Sequence, residues 1–284
     1  MLGKEIEVSA MRMRKKKNLI PRMERCAAVQ EKDPYAMRGR WREWLTPDCE
    51  LCLEIGCGKG TFTVETAAAH PDQLFVAVER VADCLLLAME KGMRQELHNV
   101  VFVCDDAAQL GDMFAPGEVD RIYINFCDPW PSKKHAKRRL TYEGFLRSYR
   151  DFLKDGGVIE FKTDNRPLFD FSLTQFERAG YALSEVTYDL HKEYSDIIMT
   201  DYEARFVAEG VKIHRCVATK VALPTELGEP PLLSLLDYLP DELDHIPYGM
   251  DNVLWENRGR VKLSAKLLAQ LEGQPAESKG DEDS

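Results

Sequence analysis

The chain has 284 residues, of which 44% are hydrophobic and 30% are charged, and its formal net charge at pH 7 is −10. This composition is ordinary for a folded globular protein, and no apolar run approaches the ~20 residues that a membrane-spanning helix needs. Residues 1–10 lack the apolar centre of a secretory signal, so a cytoplasmic protein with no membrane partner is expected.

Three regions are expected along the chain. Residues 1–45 form a basic arm that leads into a short docking helix near Trp41. Residues 46–220 carry a regular pattern of strands and helices, and residues 221–284 form an acidic extension. Within this extension, residues 256–271 have the pattern of one amphipathic helix, and the final residues have a disordered composition.

Strands and helices alternate through the central region. The pattern predicts buried strands at 51–55, 74–78, 100–104, 119–126, 157–161, 181–188 and 213–219. It predicts helices at 60–69, 81–96, 141–153 and 168–179. This alternation is typical of an α/β fold with a mostly parallel, doubly wound sheet. The last two strands have little helix between them, so one of them is expected to be antiparallel.

The cysteines and the distribution of charge add two constraints. Most of the eight cysteines lie in apolar runs, which favours buried, reduced thiols. Cys49 and Cys52 match half of a zinc site that nothing nearby completes, so no metal is expected. Positive charge is concentrated in residues 12–17 and again in residues 133–139, and such basic stripes can bind RNA on an acidic protein.

A glycine-rich turn follows the first strand of the central region. Its glycines have the spacing Gly-x-Gly-x-Gly: Gly56, Gly58 and Gly60. Glycines allow positive φ and let a ligand lie against the backbone. Three acidic residues end successive strands at the same edge of the sheet: Glu54, Glu79 and Asp106. An acid at such a position can bind the ribose hydroxyls of an adenosine. The pattern favours S-adenosyl-L-methionine over NAD(H), because the dinucleotide-binding spacing is missing, and NAD(H) stays the alternative.

A rigid turn with the sequence Asp128-Pro129-Trp130-Pro131 follows the strand at 119–126. Open α/β sheets bind ligands at the carboxyl ends of their strands, and the two prolines fix φ in this turn. The basic run 133–139 follows at once and suits a polyanion. Two alternatives stay open: Trp130 could stack on a base or pack under the turn, and the basic run could contact phosphate or only be solvated.

Six motifs, taken in order, carry a resemblance to a known family: Glu54–Gly60, Asp120–Phe126, Asp128–Pro131, His135–Thr141, Phe161–Asn165 and Thr200–Glu203. Over residues 35–220 the chain resembles the bacterial tRNA (guanine-N7)-methyltransferases of the TrmB type. The resemblance implies a Rossmann-like, S-adenosyl-L-methionine-dependent methyltransferase fold. It also implies that the substrate is the guanosine at position 46, in the variable loop of tRNA.

The resemblance assigns roles to individual residues. The cofactor would be bound by the acids and the glycine loop, namely Glu54, Gly56, Gly58, Glu79, Asp106 and Asp128. Asp128 would also be the catalytic residue. The tRNA contacts would fall on Ser132, Lys133, His135, Arg138, Asp164, Thr200, Asp201, Tyr202 and Glu203. Two positions depart from the family pattern, since Ser132 replaces a lysine and Asp201 replaces a glutamate.

The chemistry of the implied substrate agrees with these residue types. Guanine N7 carries a lone pair and no proton, so methylation there needs a positioned negative charge rather than a general base. Asp128 fits this role, and Asp164 is expected to accept hydrogen bonds from guanine N1–H and the amino group. Two rival functions stay open, an exocyclic-amine methyltransferase and a non-catalytic RNA-binding module. A monomer and a homodimer are both compatible with the sequence.

Overall fold

The computed structural model describes residues 15–257, 261–265 and 267–268. The strands are β1 Gln30–Glu31, β2 Glu50–Ile55, β3 Gln73–Val78, β4 Val100–Val103, β5 Val119–Asn125, β6 Leu153–Thr163, β7 Tyr181–Thr187 and β8 His214–Lys220. The α-helices are α1 Leu19–Arg25, α2 Thr61–Ala69, α3 Ala82–Arg94, α4 Leu110–Met113, α5 Glu143–Phe152, α6 Arg166–Arg178, α7 Leu190–Glu193, α8 Asp201–Ala208 and α9 Asp251–Glu256. Short 3₁₀ helices lie at Ala27–Val29, Trp41–Trp44, Ala107–Gln109, Lys133–Arg138 and Leu235–Tyr238.

The strands form one sheet in the order β1-β4-β3-β2-β5-β6-β8-β7. The pairs from β1 to β6 are parallel, whereas β8 is antiparallel to both of its neighbours, β6 and β7. The predicted α/β fold with one antiparallel strand is therefore confirmed. β2 and β3 are buried from their second residue onward because helices cover both faces of the sheet.

Local sequence signals set the first residues of two helices that border the site. At α6 the side chain of Asn165 accepts a hydrogen bond of 3.0 Å from the Leu168 N–H, and Pro167 occupies the first turn, where it needs no backbone donor. At α8, Thr200 and Glu203 form a capping box in which each side chain accepts from the other's N–H. Both helices therefore begin at the same residues that the motifs single out.

The described part of the basic arm is folded against the domain. Helix α1 lies against α3, where Arg22 donates two hydrogen bonds of 2.8 and 2.7 Å to Glu90. The expected docking helix is a short 3₁₀ helix, and the indole of Trp41 is fully buried in it, donating to the carbonyl oxygen of Met113 at 2.9 Å. The basic residues 12–14 lie outside the described residues.

The acidic extension does not form the single helix expected at 256–271. Helix α9 ends at Glu256. Leu263 forms an isolated parallel β-bridge with Leu243, so the backbone at this residue is not helical. Leu267 is buried, which shows that apolar residues of this segment pack on the core without one continuous helix. The remaining residues of 256–271 and the final residues, for which disorder was expected, lie outside the described residues. Within the described ranges, no helix is both long and apolar enough to cross a bilayer.

Arg139 joins the extension to the turn after β5. Its side chain is fully buried and donates to the carbonyl oxygens of Pro129 at 2.9 Å, Trp130 at 2.8 Å and Leu233 at 2.9 Å. Its guanidinium also lies 4.3 Å from the ring centre of Phe171. Burial lowers the pKa of Arg139 to about 10, which leaves the side chain charged at neutral pH. Arg139 is therefore a structural clamp, although the sequence places it in a basic run expected to face phosphate.

Replacing this clamp should destabilise the fold. Arg139→Met leaves several carbonyl groups without a donor, so the free energy of unfolding should fall by ~3 kcal/mol or more. Urea unfolding followed by circular dichroism measures the change. Arg138→Met is the matched control, because Arg138 is the exposed neighbour and its replacement should change stability by ~0.5 kcal/mol at most. Equal effects of the two substitutions would refute the clamp.

Candidate active site

The glycine loop between β2 and α2 has the backbone shape of a ligand cradle. Gly56, Gly58 and Gly60 all have positive φ, at 79°, 56° and 72°. A Cβ on Gly60 would lie 2.4 Å from the Cβ of Ala88, so this glycine allows the close packing of the loop on α3. A Cβ on Gly56 or Gly58 would meet nothing within 4 Å. The loop therefore faces open space on the side where a cofactor can lie.

Two glutamates hold this loop in different ways. Glu79 follows β3 and accepts hydrogen bonds from the N–H groups of Gly58 at 3.0 Å and Val81 at 2.8 Å. Glu54 is buried at the end of β2 and accepts from the Thr63 hydroxyl and from the Asn125 amide at 2.9 Å. Burial raises the pKa of Glu54, and these two donors oppose the shift. Glu79 thus lies at the edge of the cleft, whereas Glu54 lies beneath it.

Asp105 and Asp106 follow β4, at the same edge of the sheet as the glycine loop and Glu79. Asp106 caps the 3₁₀ helix at Ala107–Gln109, since its side chain accepts a hydrogen bond of 3.0 Å from the Ala108 N–H. Its Oδ2 also lies 3.6 Å from Nη1 of Arg80. Asp105 accepts a hydrogen bond of 2.9 Å from the hydroxyl of Tyr35. Both acids are half-buried, which leaves part of each carboxylate available to a ligand.

Asp128 is an exposed acid of the site. It lies in the turn after β5, between Phe126 and Trp130, which both have left-handed backbone conformations with φ of 51° and 44°. Non-glycine residues adopt this conformation at a cost, and such strain is concentrated at functional sites. The Phe126 N–H donates to the carbonyl oxygen of Lys162 at 2.9 Å, and Arg139 holds the carbonyl of Trp130. The turn is therefore fixed on both sides of the carboxylate.

Asp164 is not free to meet a base as expected, because the extension covers it. The side chain is 2% exposed, and its carboxylate accepts a hydrogen bond of 3.3 Å from the N–H of Tyr248. Nε2 of His245 lies 4.0 Å from the same oxygen. Burial raises the pKa of Asp164, and the charge of His245 opposes that shift. Direct contact between Asp164 and substrate would require this segment to move.

The Thr200–Glu203 segment lies beside the glycine loop. Oδ2 of Asp201 lies 3.1 Å from Nζ of Lys91. The same Nζ donates a hydrogen bond to the hydroxyl of Thr61 at the start of α2. Tyr202 is half-buried, and its ring centre lies 5.2 Å from that of Phe126. These two residues thus bring the segment into the site, as the sequence predicts, while their contacts with substrate stay predictions.

Glu203 and Thr200 have structural roles in this arrangement. Glu203 is fully buried and forms an ion pair of 2.7 Å with Lys162, and its other oxygen lies 2.9 Å from Nε2 of His191. Thr200 provides the helix cap with its side chain. Glu203 is thus enclosed by protein donors on both carboxylate oxygens, and its expected contact with substrate stays a prediction.

The basic segment forms a 3₁₀ helix at Lys133–Arg138, directly after the turn. Lys133 and Arg138 are exposed, and Ser132 and His135 are half-buried. The guanidinium of Arg138 lies 5.0 Å from the ring centre of Trp130, and the ring of His135 lies 5.8 Å from it. Trp130 is therefore half-buried against its own basic segment, and stacking on a base stays a prediction. The exposed cations surround the same turn as Asp128.

Several residues that shape the site have no role predicted from the sequence. Asn125 and Lys162 lie within two of the six motifs, but only the structure shows that they hold the buried acids Glu54 and Glu203. Tyr248 lies in the extension, and only the fold brings it to Asp164. All eight cysteines are free thiols, and among the described residues no cluster of three or more His, Cys, Asp or Glu side chains could hold a metal ion.

The fold and a family model define the class of protein. Residues 48–216 match the model of the family described as "Putative methyltransferase". The crystal structure of the 16S rRNA methyltransferase KamB is similar in fold, with a TM-score of 0.51 and 13% sequence identity, over 65% of this chain and 94% of that chain. The family match covers more than half of the chain, so the protein is a methyltransferase, and the sheet has the fold of one.

Relatives in three bacteria identify the particular family. A tRNA (guanine-N(7)-)-methyltransferase of Lachnoclostridium phytofermentans is 47% identical over 66% of this chain and 88% of its own length. The enzymes of the same name from Geobacillus kaustophilus and Staphylococcus carnosus are 45% and 44% identical over 87% and 86% of their lengths. The chain belongs to the bacterial tRNA (guanine-N7)-methyltransferase family and is an enzyme.

The buried pair between Lys162 and Glu203 gives a stability prediction. Lys162→Met leaves the carboxylate of Glu203 buried without its cation, so the free energy of unfolding should fall by ~3–5 kcal/mol. Urea unfolding measures it. Arg205→Met is the control, since the Arg205–Glu209 pair is exposed and should contribute ~1 kcal/mol or less. The double variant Lys162→Met/Glu203→Leu should recover most of the stability, and no recovery would refute the assigned cause.

Proposed function

We propose that this enzyme transfers a methyl group from S-adenosyl-L-methionine to N7 of guanosine in tRNA, at position 46 in the variable loop. The observation that carries the proposal is the exposed carboxylate of Asp128, in a turn that Arg139 holds and that directly precedes a basic 3₁₀ helix. The names of the relatives support the substrate and the atom that is methylated. A tRNA substrate also supports a cytoplasmic location.

The residues of the cleft fit the cofactor. Gly56 and Gly58 leave open space above the loop, where side chains would exclude a ligand. Glu79 would bind the ribose hydroxyls and Asp106 the adenine amino group, while Asp128 and the buried Glu54 provide negative charge at the sulfonium end. When bound, S-adenosyl-L-methionine supplies an activated methyl group. The chain's own residues have to orient it and the target base.

Asp128 acts through its charge and its fixed position. Methylation moves a positive charge onto the purine ring, and a carboxylate held beside N7 stabilises that charge as it develops. Pro129, Pro131 and Arg139 hold the turn, so little reorganisation is needed at the moment of reaction. No proton leaves N7, and none of these residues has to act as a base.

The exposed cations after the turn would bind the tRNA backbone. Lys133 and Arg138 are exposed, and Ser132 and His135 are the half-buried polar residues of the same segment. Phosphate contacts of this kind orient the RNA without reading its sequence. Base contacts with Asp201 and Tyr202 would add to them, since the ring of Tyr202 packs on Phe126 beside the turn of Asp128.

The first prediction of this proposal concerns the position of the methyl group. Purified enzyme and tRNA should yield methylated RNA that borohydride and aniline cleave, because this treatment cuts at N7-methylguanosine. Cleavage sites are located on a sequencing gel, where we expect a single cut at position 46. RNA that is methylated but not cut would indicate an exocyclic-amine methyltransferase. RNA that is not methylated at all would contradict the proposed substrate.

The same assay tests the role of Asp128. Asp128→Ala should lower kcat by ~100-fold or more, because it removes the fixed charge beside N7. The residue is exposed, so the unfolding transition should stay within ~0.5 kcal/mol of the wild-type value. Asp112→Ala is a suitable control, since Asp112 is an exposed acid in α4, outside the site motifs. Near-normal turnover by Asp128→Ala would contradict the mechanism.

A further prediction concerns the basic segment. Neutralising Lys134, Lys137 and Arg138 together should weaken tRNA binding and reduce the dependence of log Kd on log salt by up to ~0.9 for each phosphate that these cations neutralise. Filter binding across a salt series measures the slope. Arg94→Gln is the control, because this exposed cation lies in the last turn of α3, away from the ligand-binding edge. An unchanged slope in the triple variant would mean that the segment faces away from RNA.

A further inference from the structure

The extension forms a strap across the carboxyl ends of β5 and β6. We use this name for residues 243–250. Two neighbouring residues at the end of β6 hold the backbone of Tyr248, since Asp164 accepts from its N–H at 3.3 Å and Asn165 donates to its carbonyl oxygen at 3.2 Å. Gly249 lies directly on the turn of Asp128, where a Cβ would come within 2.8 Å of Cγ of Pro129.

The strap is a packed part of the core and not a loose flap. Leu243 and Met250 at its two ends are 3% and 0% exposed and belong to the main hydrophobic cluster. Leu254 in α9 adds to the same cluster. Upstream, the Leu235 N–H donates to the carbonyl oxygen of Pro131 at 3.0 Å. Displacing the strap would expose these apolar side chains to water, which costs free energy.

The ring of Tyr248 is the exception to this burial. The residue is 40% exposed although its backbone is anchored on both sides. Its ring centre lies 5.6 Å from that of Tyr202 in an edge-to-face arrangement, and Tyr202 in turn packs on Phe126. The Tyr202 hydroxyl is buried without a hydrogen-bond partner in the described part of the chain. An aromatic surface with an unused polar group thus lies beside the turn that carries Asp128.

The strap lies outside the part of the chain that matches the family. The family model ends at residue 216, and the extension begins at residue 221. Asp164 lies inside the matched part and was expected to meet the base, yet here it holds the strap. The strap therefore covers Asp164, the residue that was expected to contact the base. It places Tyr248 at the same end of β6.

We propose that Tyr248 forms a wall of the target-base pocket and that its ring stacks on the guanine, while Asp164 anchors the strap. The inference rests on the proposed function, because it needs a purine beside Asp128. A base has a flat face whatever its sequence context, and an anchored, partly exposed aromatic ring is the side chain that matches it. The strap is thus part of the binding site and not an inhibitor of it.

The test compares three substitutions of Tyr248 in the full chain. Tyr248→Ala should lower kcat/KM for tRNA by ~10-fold or more, mainly through KM, and weaken tRNA binding by a similar factor. Tyr248→Phe keeps the ring and should stay within ~2-fold of wild type. Tyr248→Leu keeps apolar bulk without a stacking face, so it should resemble the alanine variant while remaining folded. Calorimetry with S-adenosyl-L-methionine should give an unchanged Kd in all three.

Leu227→Ala is the matched control. Leu227 is 49% exposed in the same extension, next to Gly228, whose carbonyl oxygen accepts from Arg178 at the far end of α6. This position lies roughly 20 Å along the helix from Asp164, at 1.5 Å per residue. Unchanged or increased activity of Tyr248→Ala would overturn the inference while the proposed function stands. If the wild-type enzyme makes no N7-methylguanosine, the proposed function and the inference fail together.

Discussion

The site depends on one buried cation. Arg139 is fully enclosed, yet its guanidinium faces carbonyl oxygens of the turn after β5 and of the extension. A guanidinium suits this position because it offers several donors in one plane and stays charged when its pKa is lowered. Through these contacts the turn that carries Asp128 is fixed, and the extension is held across it. The geometry of the turn that carries Asp128 and the path of the extension at Leu233 thus have a common cause.

The remaining parts of the site assemble because parallel strands end at a common edge. The glycine loop follows β2, the acid Glu79 follows β3, and the turn of Asp128 follows β5. Beneath them, Asn125 and Lys162 donate to the buried acids Glu54 and Glu203, so charges that would destabilise the core are compensated inside it. Asp128 is therefore exposed to a ligand and Glu79 holds the loop, whereas the buried acids Glu54 and Glu203 hold α2 and α8 in place.

Burial separates residues that the motifs group together. Arg138 and Arg139 are neighbours in one basic run, but the first is exposed and the second is fully buried. Thr200 to Glu203 form one motif, yet Asp201 is exposed and Glu203 is enclosed by Lys162 and His191. Asp164 is covered by a segment more than eighty residues further along the chain. Such distinctions depend on contacts between distant parts of the sequence, and local patterns do not contain them.

The sequence by itself determined the alternation of strands and helices, the glycine loop, the antiparallel strand near the end and the turn of Asp128. These features arise from local propensity, from the period of apolar residues and from the conformations open to glycine and proline, which act over a few neighbouring residues. The docking helix near Trp41 was also expected from the sequence. Only the tertiary structure decided that α1 packs on the domain, that Arg139 is a clamp, and that Tyr248 reaches the site. Each of these depends on which distant surfaces bury one another, and burial is a property of the whole fold.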